Sequence, residues 1–177
     1  RRKLSIYILH TPLDNYGEFS TSYTLADTLG VKPISPFFEY FGAYAGLIGR
    51  TNQKNINNLK KRFEEAVGHK VSFYSYGLSE IAGGKVGIVA GGGNEIGTLR
   101  ELYENGVNVL VTGITRLIPE YKKSVEAHKY AKEHKINILG GTHYSTEKFA
   151  CQKMCEYFKK LGLESQFISG LPGMEDI

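Results

Sequence analysis

Nothing in this sequence is apolar for long enough to cross a bilayer. Its longest apolar runs, such as Val86–Ala90 and Val107–Val111, are strand-length, whereas a spanning helix needs about 20 apolar residues in a row. Charge of one sign is not in excess either. The formal net charge is only +4, so composition gives no electrostatic footprint for nucleic acid. Basic residues do gather in 54–62 and 121–135, but Asn or Glu is interleaved, the pattern of a solvated helix face. Cysteine is scarce. Cys151 and Cys155 are the two in the chain, four apart in a helical stretch, where a disulfide would strain the helix. They read as reduced thiols packed in the core with Phe149, Met154 and Phe158, which suits a cytoplasmic location. Internal repeats and low-complexity tracts are lacking as well.

What is there is ordinary globular composition, 41% hydrophobic and 23% charged over 177 residues. That is enough for one domain with a single substantial core and carries no bias toward disorder. The chain starts at Arg1 and enters an apolar stretch at once, so upstream residues are expected.

Periodicity and turn chemistry divide the chain. Ser5–Leu9 is rich in strand formers and runs into the polar turn His10–Asp14, where Pro12 forbids continuation as a central strand. Ser22–Leu29 is a helix closed by Gly30. Residues 33–49 are aromatic and glycine-rich and fit one or two strands with turns. Ile56, Leu59, Phe63 and Val67 recur at helical spacing and end at Gly68. Val71–Tyr76 reads as a strand. A cleaner alternation follows: strand Lys85–Ala90, turn Gly91–Gly93, helix Glu95–Glu104, strand Val107–Thr112, a helix from about Tyr121 to Glu133, and strand Ile136–Leu139. Helix Thr146–Leu161 and strand Ser165–Ser169 complete it. Strands alternating with helices over short glycine turns predict an α/β fold, with a largely parallel or mixed sheet and flanking helices. Ligands of such sheets sit beyond the carboxyl ends of the strands.

Two polar segments fall at such ends. In Gly140–Glu147, His143 offers an imidazole and Glu147 a carboxylate four residues on, so a helix places both on one face. The segment alone is equally explained by a surface His beside a Glu that complements the helix dipole. His10–Asp14 is the other, and alone it reads more simply as a turn in which Asp14 bonds its own backbone. Gly91–Gly93 precedes a helix, and its backbone N–H groups could meet a phosphate. The next strand, however, ends Val111-Thr112-Gly113 without the acid that a dinucleotide site wants, so a tight packing turn is the preferred reading. His128 is placed to face the same sheet end, His134 to face solvent at a helix C-terminus, and His69 is assigned no role.

Taken together, Ile8–Asp14 and Thr24–Gly30 resemble the HTxLD … LAxxLG signature of the NIF-three-like family (NGG-one-interacting factor three-like), also known as GTP cyclohydrolase I type 2 homologues. Val86–Gly93, Val107–Gly113 and Gly141–Glu147 are similar, in the same order, to that family's glycine-turn strand, its TGE strand and its GHxxTE motif. The resemblance implies a NIF-three-like α/β domain over 1–177, incomplete at its N-terminus and without an inserted middle domain. It also implies a divalent metal centre of one or two ions (zinc, manganese or iron) with Asp14, His143 and Glu147 as ligands. By the same comparison His10 and His128 lie beside the metal or face the substrate. The implied activity is metal-dependent hydrolysis of a small phosphorylated or nucleotide-like molecule. The alternative is a non-catalytic regulatory protein that forms an oligomeric ring, such as a hexamer, and meets transcription-factor partners. Three departures stand out. The family's adjacent His-His pair is absent, Ile114 replaces the Glu after Thr-Gly, and the link Arg116–Val125 is longer than usual.

Overall fold

The computed structural model describes residues 3–177. Burial alternates along the inner strands and sets the architecture. In β5 (Val109–Thr112), Val109 and Val111 point into one apolar cluster while Leu110 points into another. In β6 (Asn137–Gly140), Leu139 and Ile138 divide the same way. A strand buried on both faces needs a helical layer on each side. Helices α2 (Thr21–Leu29) and α3 (Ile56–Val67) cover the first face through Leu25, Leu29, Leu59 and Phe63. Helices α4 (Ile96–Glu104) and α5 (Lys122–Glu133) cover the second through Leu99, Leu102, Ala127 and Ala131.

The six-stranded sheet has the order β1-β2-β4-β5-β6-β3. Strand β4 (Lys85–Val89), β5 and β6 run parallel to one another, as the helix-strand alternation predicts. The hairpin β1 (Lys32–Tyr40) and β2 (Ala43–Arg50), together with the short β3 (Ser72–Tyr74), adds antiparallel edges, so the sheet is mixed. Pro33 and Pro36 lie on edge strand β1, where a missing N–H is tolerated. The predicted helix stops hold: Gly30 and Gly68 close α2 and α3 in the left-handed conformation. The last helix, α6 (His143–Lys160), starts three residues earlier than its apolar pattern suggested, and this matters for the site. A short helix, α1 (Thr11–Asp14), takes the place of the expected turn.

Two predicted strands do not form. Ser5–Leu9 and Ser165–Ser169 carry no ladder bonds, and Leu4, Ile6, Tyr7, Ile8 and Ile168 are each more than 80% exposed. Among the described residues neither segment has a neighbouring strand to pair with, and strand propensity expresses itself only through cross-strand contacts. The cysteines also differ from expectation. Both are free, but Cys151 is exposed and Cys155 half-buried, because α6 buries only Ser145, Thr146 and Ala150 and leaves the thiol-bearing face outward. Among the described residues no helix is long and apolar enough to cross a membrane.

Candidate functional site

The site lies beyond the carboxyl ends of β4, β5 and β6, where three loops are laced together. Gly91, after β4, accepts hydrogen bonds on its carbonyl from the N–H groups of Gly113 (2.9 Å) and Ile114 (2.8 Å), after β5. Its own N–H donates to Thr146 Oγ1 in the first turns of α6, at 3.0 Å. The loop after β4 thus reaches the loop after β6 across the end of β5. Glycine at 113 makes this approach feasible, because a Cβ there would collide with the carbonyl oxygens of Gly91 and Thr142. Gly93 N–H is likewise taken by Thr112 Oγ1 at 2.9 Å. With two of its three amides engaged internally, the Gly91–Gly93 turn is a packing device, as the sequence favoured, and not an open phosphate cradle.

Helix α6 begins at His143 because Thr142 caps it. Its side-chain oxygen accepts from Ser145 N–H at 3.2 Å, with Thr142 held at φ 65°. From that start, His143 and Glu147 fall on one face, and His143 Nε2 lies 2.9 Å from Glu147 Oε1. Asp14 comes from a distant part of the sequence. It sits on α1, fixed by the Thr21 hydroxyl, which donates to its Oδ1 at 2.9 Å. Asp14, His143 and Glu147 lie within electrostatic reach of one another. Hydrogen bonding to Glu147 holds the His143 imidazole above its usual range against the opposing effect of burial, while burial and then the Glu147 charge push Asp14 up. Among the described residues, no group of three or more His, Cys, Asp and Glu side chains is drawn together closely enough to hold a metal ion. The arrangement is a contacting His–Glu pair with a second carboxylate, Asp14, within electrostatic reach.

Whether these residues suit a divalent ion can be judged from their surroundings. Two half-buried carboxylates share the space with an imidazole, a mixed nitrogen and oxygen donor set of the kind such ions take. Gly91 leaves room on the same side. A Cβ there would press into Glu147 Oε1 and lie 3.0 Å from His143 Nε2. The residues fit.

Of the other histidines, His10 is exposed at the start of α1, and its charge reaches Asp14. Among the described residues, no hydrogen bond joins His128 to the trio. It is 4% exposed, with Nε2 at 2.8 Å from the Thr115 carbonyl and Nδ1 at 2.9 Å from the Tyr76 hydroxyl. Burial lowers its pKa. With both ring nitrogens engaged, it supports the loop after β5. His134 stacks on Tyr130 with ring centroids 3.9 Å apart, away from the site.

Two contributors were not evident from sequence. His69 Nδ1 lies 2.8 Å from the Lys70 carbonyl and Nε2 2.8 Å from the buried Ser145 hydroxyl, bracing the first turn of α6. Asp176 accepts the His143 backbone N–H on Oδ2 at 2.8 Å. Separations of 76 and 33 positions left no local signal for either.

Comparison with known proteins then decides the relationship. The model of the Duf34/NIF3 (NGG1p interacting factor 3) family matches residues 1–170. The chain belongs to that family. A curated relative, the GTP cyclohydrolase 1 type 2 homolog of Archaeoglobus fulgidus, is 29% identical over 170 residues, which are 95% of this chain and 62% of the relative. The Pyrococcus horikoshii protein of the same name is 26% identical over 175 residues, 97% of this chain and 64% of its own length. This NIF3-family chain thus spans somewhat under two thirds of the curated relatives it matches. Among solved structures, the protein ybgI, of unknown function, superposes with a TM-score of 0.78 at 20% identity, over 94% of this chain and 62% of that one. Reduced HcgD from Methanocaldococcus jannaschii gives 0.66 at 19% identity, over 88% and 57%. The shared fold is that of the family.

Proposed function

We propose that this NIF3-family chain carries part of a divalent-metal site and that the whole protein is a metal-dependent hydrolase of small phosphorylated or nucleotide-like molecules. One observation carries the reading. The His143–Glu147 pair, with Asp14 in electrostatic reach, faces the side-chain-free surface of Gly91 at the carboxyl end of the parallel strands. That is where open α/β sheets bind their ligands.

In this reading His143 Nε2 and the carboxylates of Asp14 and Glu147 would hold one or two ions of the zinc, manganese or iron type. A cation held there supplies positive charge that polarises a substrate oxygen and activates water. The protein's own groups do the rest. Thr21 fixes the direction of Asp14 through its hydroxyl. The capped start of α6 fixes His143 and Glu147 on one face. His10, exposed next to Asp14, faces an incoming substrate. The His143–Glu147 hydrogen bond engages donor atoms that a cation would need, so the pair would have to open to hold one.

The test is metal titration by calorimetry, together with hydrolysis of a panel of phosphoesters and nucleotides. Wild type is compared with Asp14→Asn, His143→Ala and Glu147→Gln. The expected result is loss of about 10-fold or more in affinity for each ligand removed, with turnover lost in parallel. Unchanged metal loading in both His143→Ala and Glu147→Gln would overturn the site. Tight metal binding with no turnover on any panel member would remove the hydrolase and leave a metal-binding regulatory protein.

A further inference from the structure

The last structured turn of the chain comes back to the site. Helix α6 carries the chain away from His143, and residues 161–173 return without regular secondary structure and largely exposed. On the way, Gly170 N–H donates to the Tyr144 hydroxyl at 2.7 Å. A short turn of 3₁₀ helix, Met174–Asp176, then docks on the strand-end loops.

Asp176 makes the docking hydrogen bonds. The Asp176 carbonyl accepts from the N–H groups of Thr115 and Arg116, both at 2.9 Å. Its carboxylate Oδ2 accepts from His143 N–H at 2.8 Å. The loop after β5 and the loop after β6 are therefore tied through a single side chain and its own carbonyl. The sheet cannot supply these bonds, because backbone N–H groups beyond the ends of parallel strands have no ladder partners. The first amides of a helix have no intrahelical acceptor and lie at the positive end of the helix dipole. A carboxylate there satisfies one of them and places a negative charge near the imidazole.

We propose that Asp176 is a positioning residue for His143: it fixes the backbone from which the imidazole projects, and the returning strap couples the C-terminal segment to the site. This rests on the reading of His143 as a metal ligand, but the contact itself exists without metal. Partners that orient a ligand typically change metal affinity by about 10–100-fold when removed.

The experiment uses the full chain with Co²⁺ as the probe. Affinity is measured by calorimetry, and the ligand field by the visible d–d absorption of the bound ion. Asp176→Ala is expected to weaken Co²⁺ binding by about 10-fold and to shift the d–d bands. Asp176→Asn keeps an acceptor oxygen and is expected to restore most of both. Affinity and spectrum both unchanged in Asp176→Ala would overturn the proposal. Should wild type bind no Co²⁺, the metal reading fails, and the positioning role is then judged on the metal-free protein. There the His143 amide should be protected from hydrogen exchange in wild type and lose that protection in Asp176→Ala. An unprotected His143 amide in folded wild type overturns the proposal without any variant, so the outcome does not depend on Asp176→Ala being stable.

Discussion

Gly91→Ala separates two consequences of a single methyl group. Gly91 sits at φ +70°, and an added Cβ would press into Glu147 Oε1, with His143 Nε2 at 3.0 Å and Glu147 Cδ at 3.3 Å. The left-handed backbone alone costs an alanine about 1–2 kcal/mol. Gly68→Ala measures that part by itself, because Gly68 has φ +85° and open space around its missing Cβ. Gly92→Ala controls for the methyl, having neither positive φ nor any atom within 4 Å, and should fall within about 0.5 kcal/mol of wild type. The steric part depends on what yields. The nearest atom is the end of a flexible carboxylate, so Glu147 can retreat, and a full overpacking penalty of about 1–3 kcal/mol is avoided at the expense of the His143–Glu147 bond. Urea denaturation should therefore place Gly91→Ala about 1–3 kcal/mol below wild type, at or slightly beyond Gly68→Ala. The sharper signal is at the site. The Glu147 hydrogen bond is the largest cause raising the His143 pKa, so in the metal-free variant His143 should titrate at lower pH by NMR. An unchanged His143 titration, with a stability loss equal to that of Gly68→Ala, would refute the claim that Gly91 abuts this pair.

Glu147→Gln should lower the His143 pKa in the same direction, since it removes the largest raising contribution. A pKa raised on folding stabilises the protein below the ordinary histidine value and loses that contribution as pH rises through the folded value. The near-neutral slope in wild-type stability should therefore flatten in this variant, and urea midpoints measured across that range would show it. His69→Ala leaves the Ser145 hydroxyl, 1% exposed, without its partner, at a cost of about 1–3 kcal/mol. Adding Ser145→Ala should recover part of the loss, and simple additivity in the double mutant would argue against the pair. Ile6→Lys, at a residue 89% exposed, should change stability by less than about 0.5 kcal/mol. A loss of several kcal/mol would show that Ser5–Leu9 is a packed strand after all.

Much of the fold was legible because its signals are short-range. The spacing of Ile56, Leu59, Phe63 and Val67 and the stop at Gly68 define α3, and each depends on residues within a few turns. The parallel core β4-β5-β6 follows from strands alternating with helices. His143 and Glu147 were legible as a pair for the same reason: four residues on a helix set their distance. Their neighbours were not. A strand is made by its partner, so Ser5–Leu9 and Ser165–Ser169 have strand composition without strand structure.

Sequence by itself settled the α/β class, the glycine stops of α2 and α3 and the order of motifs that marks the NIF3 family. Tertiary structure alone decided which distant groups converge: Asp14 held by Thr21, His69 bracing Ser145, Gly91 against Glu147, and Asp176 on the His143 amide. Apart from Asp14–Thr21, seven residues apart, these contacts join residues far apart along the chain. Their geometry is set by packing of the sheet and its two helical layers, and no local pattern encodes it.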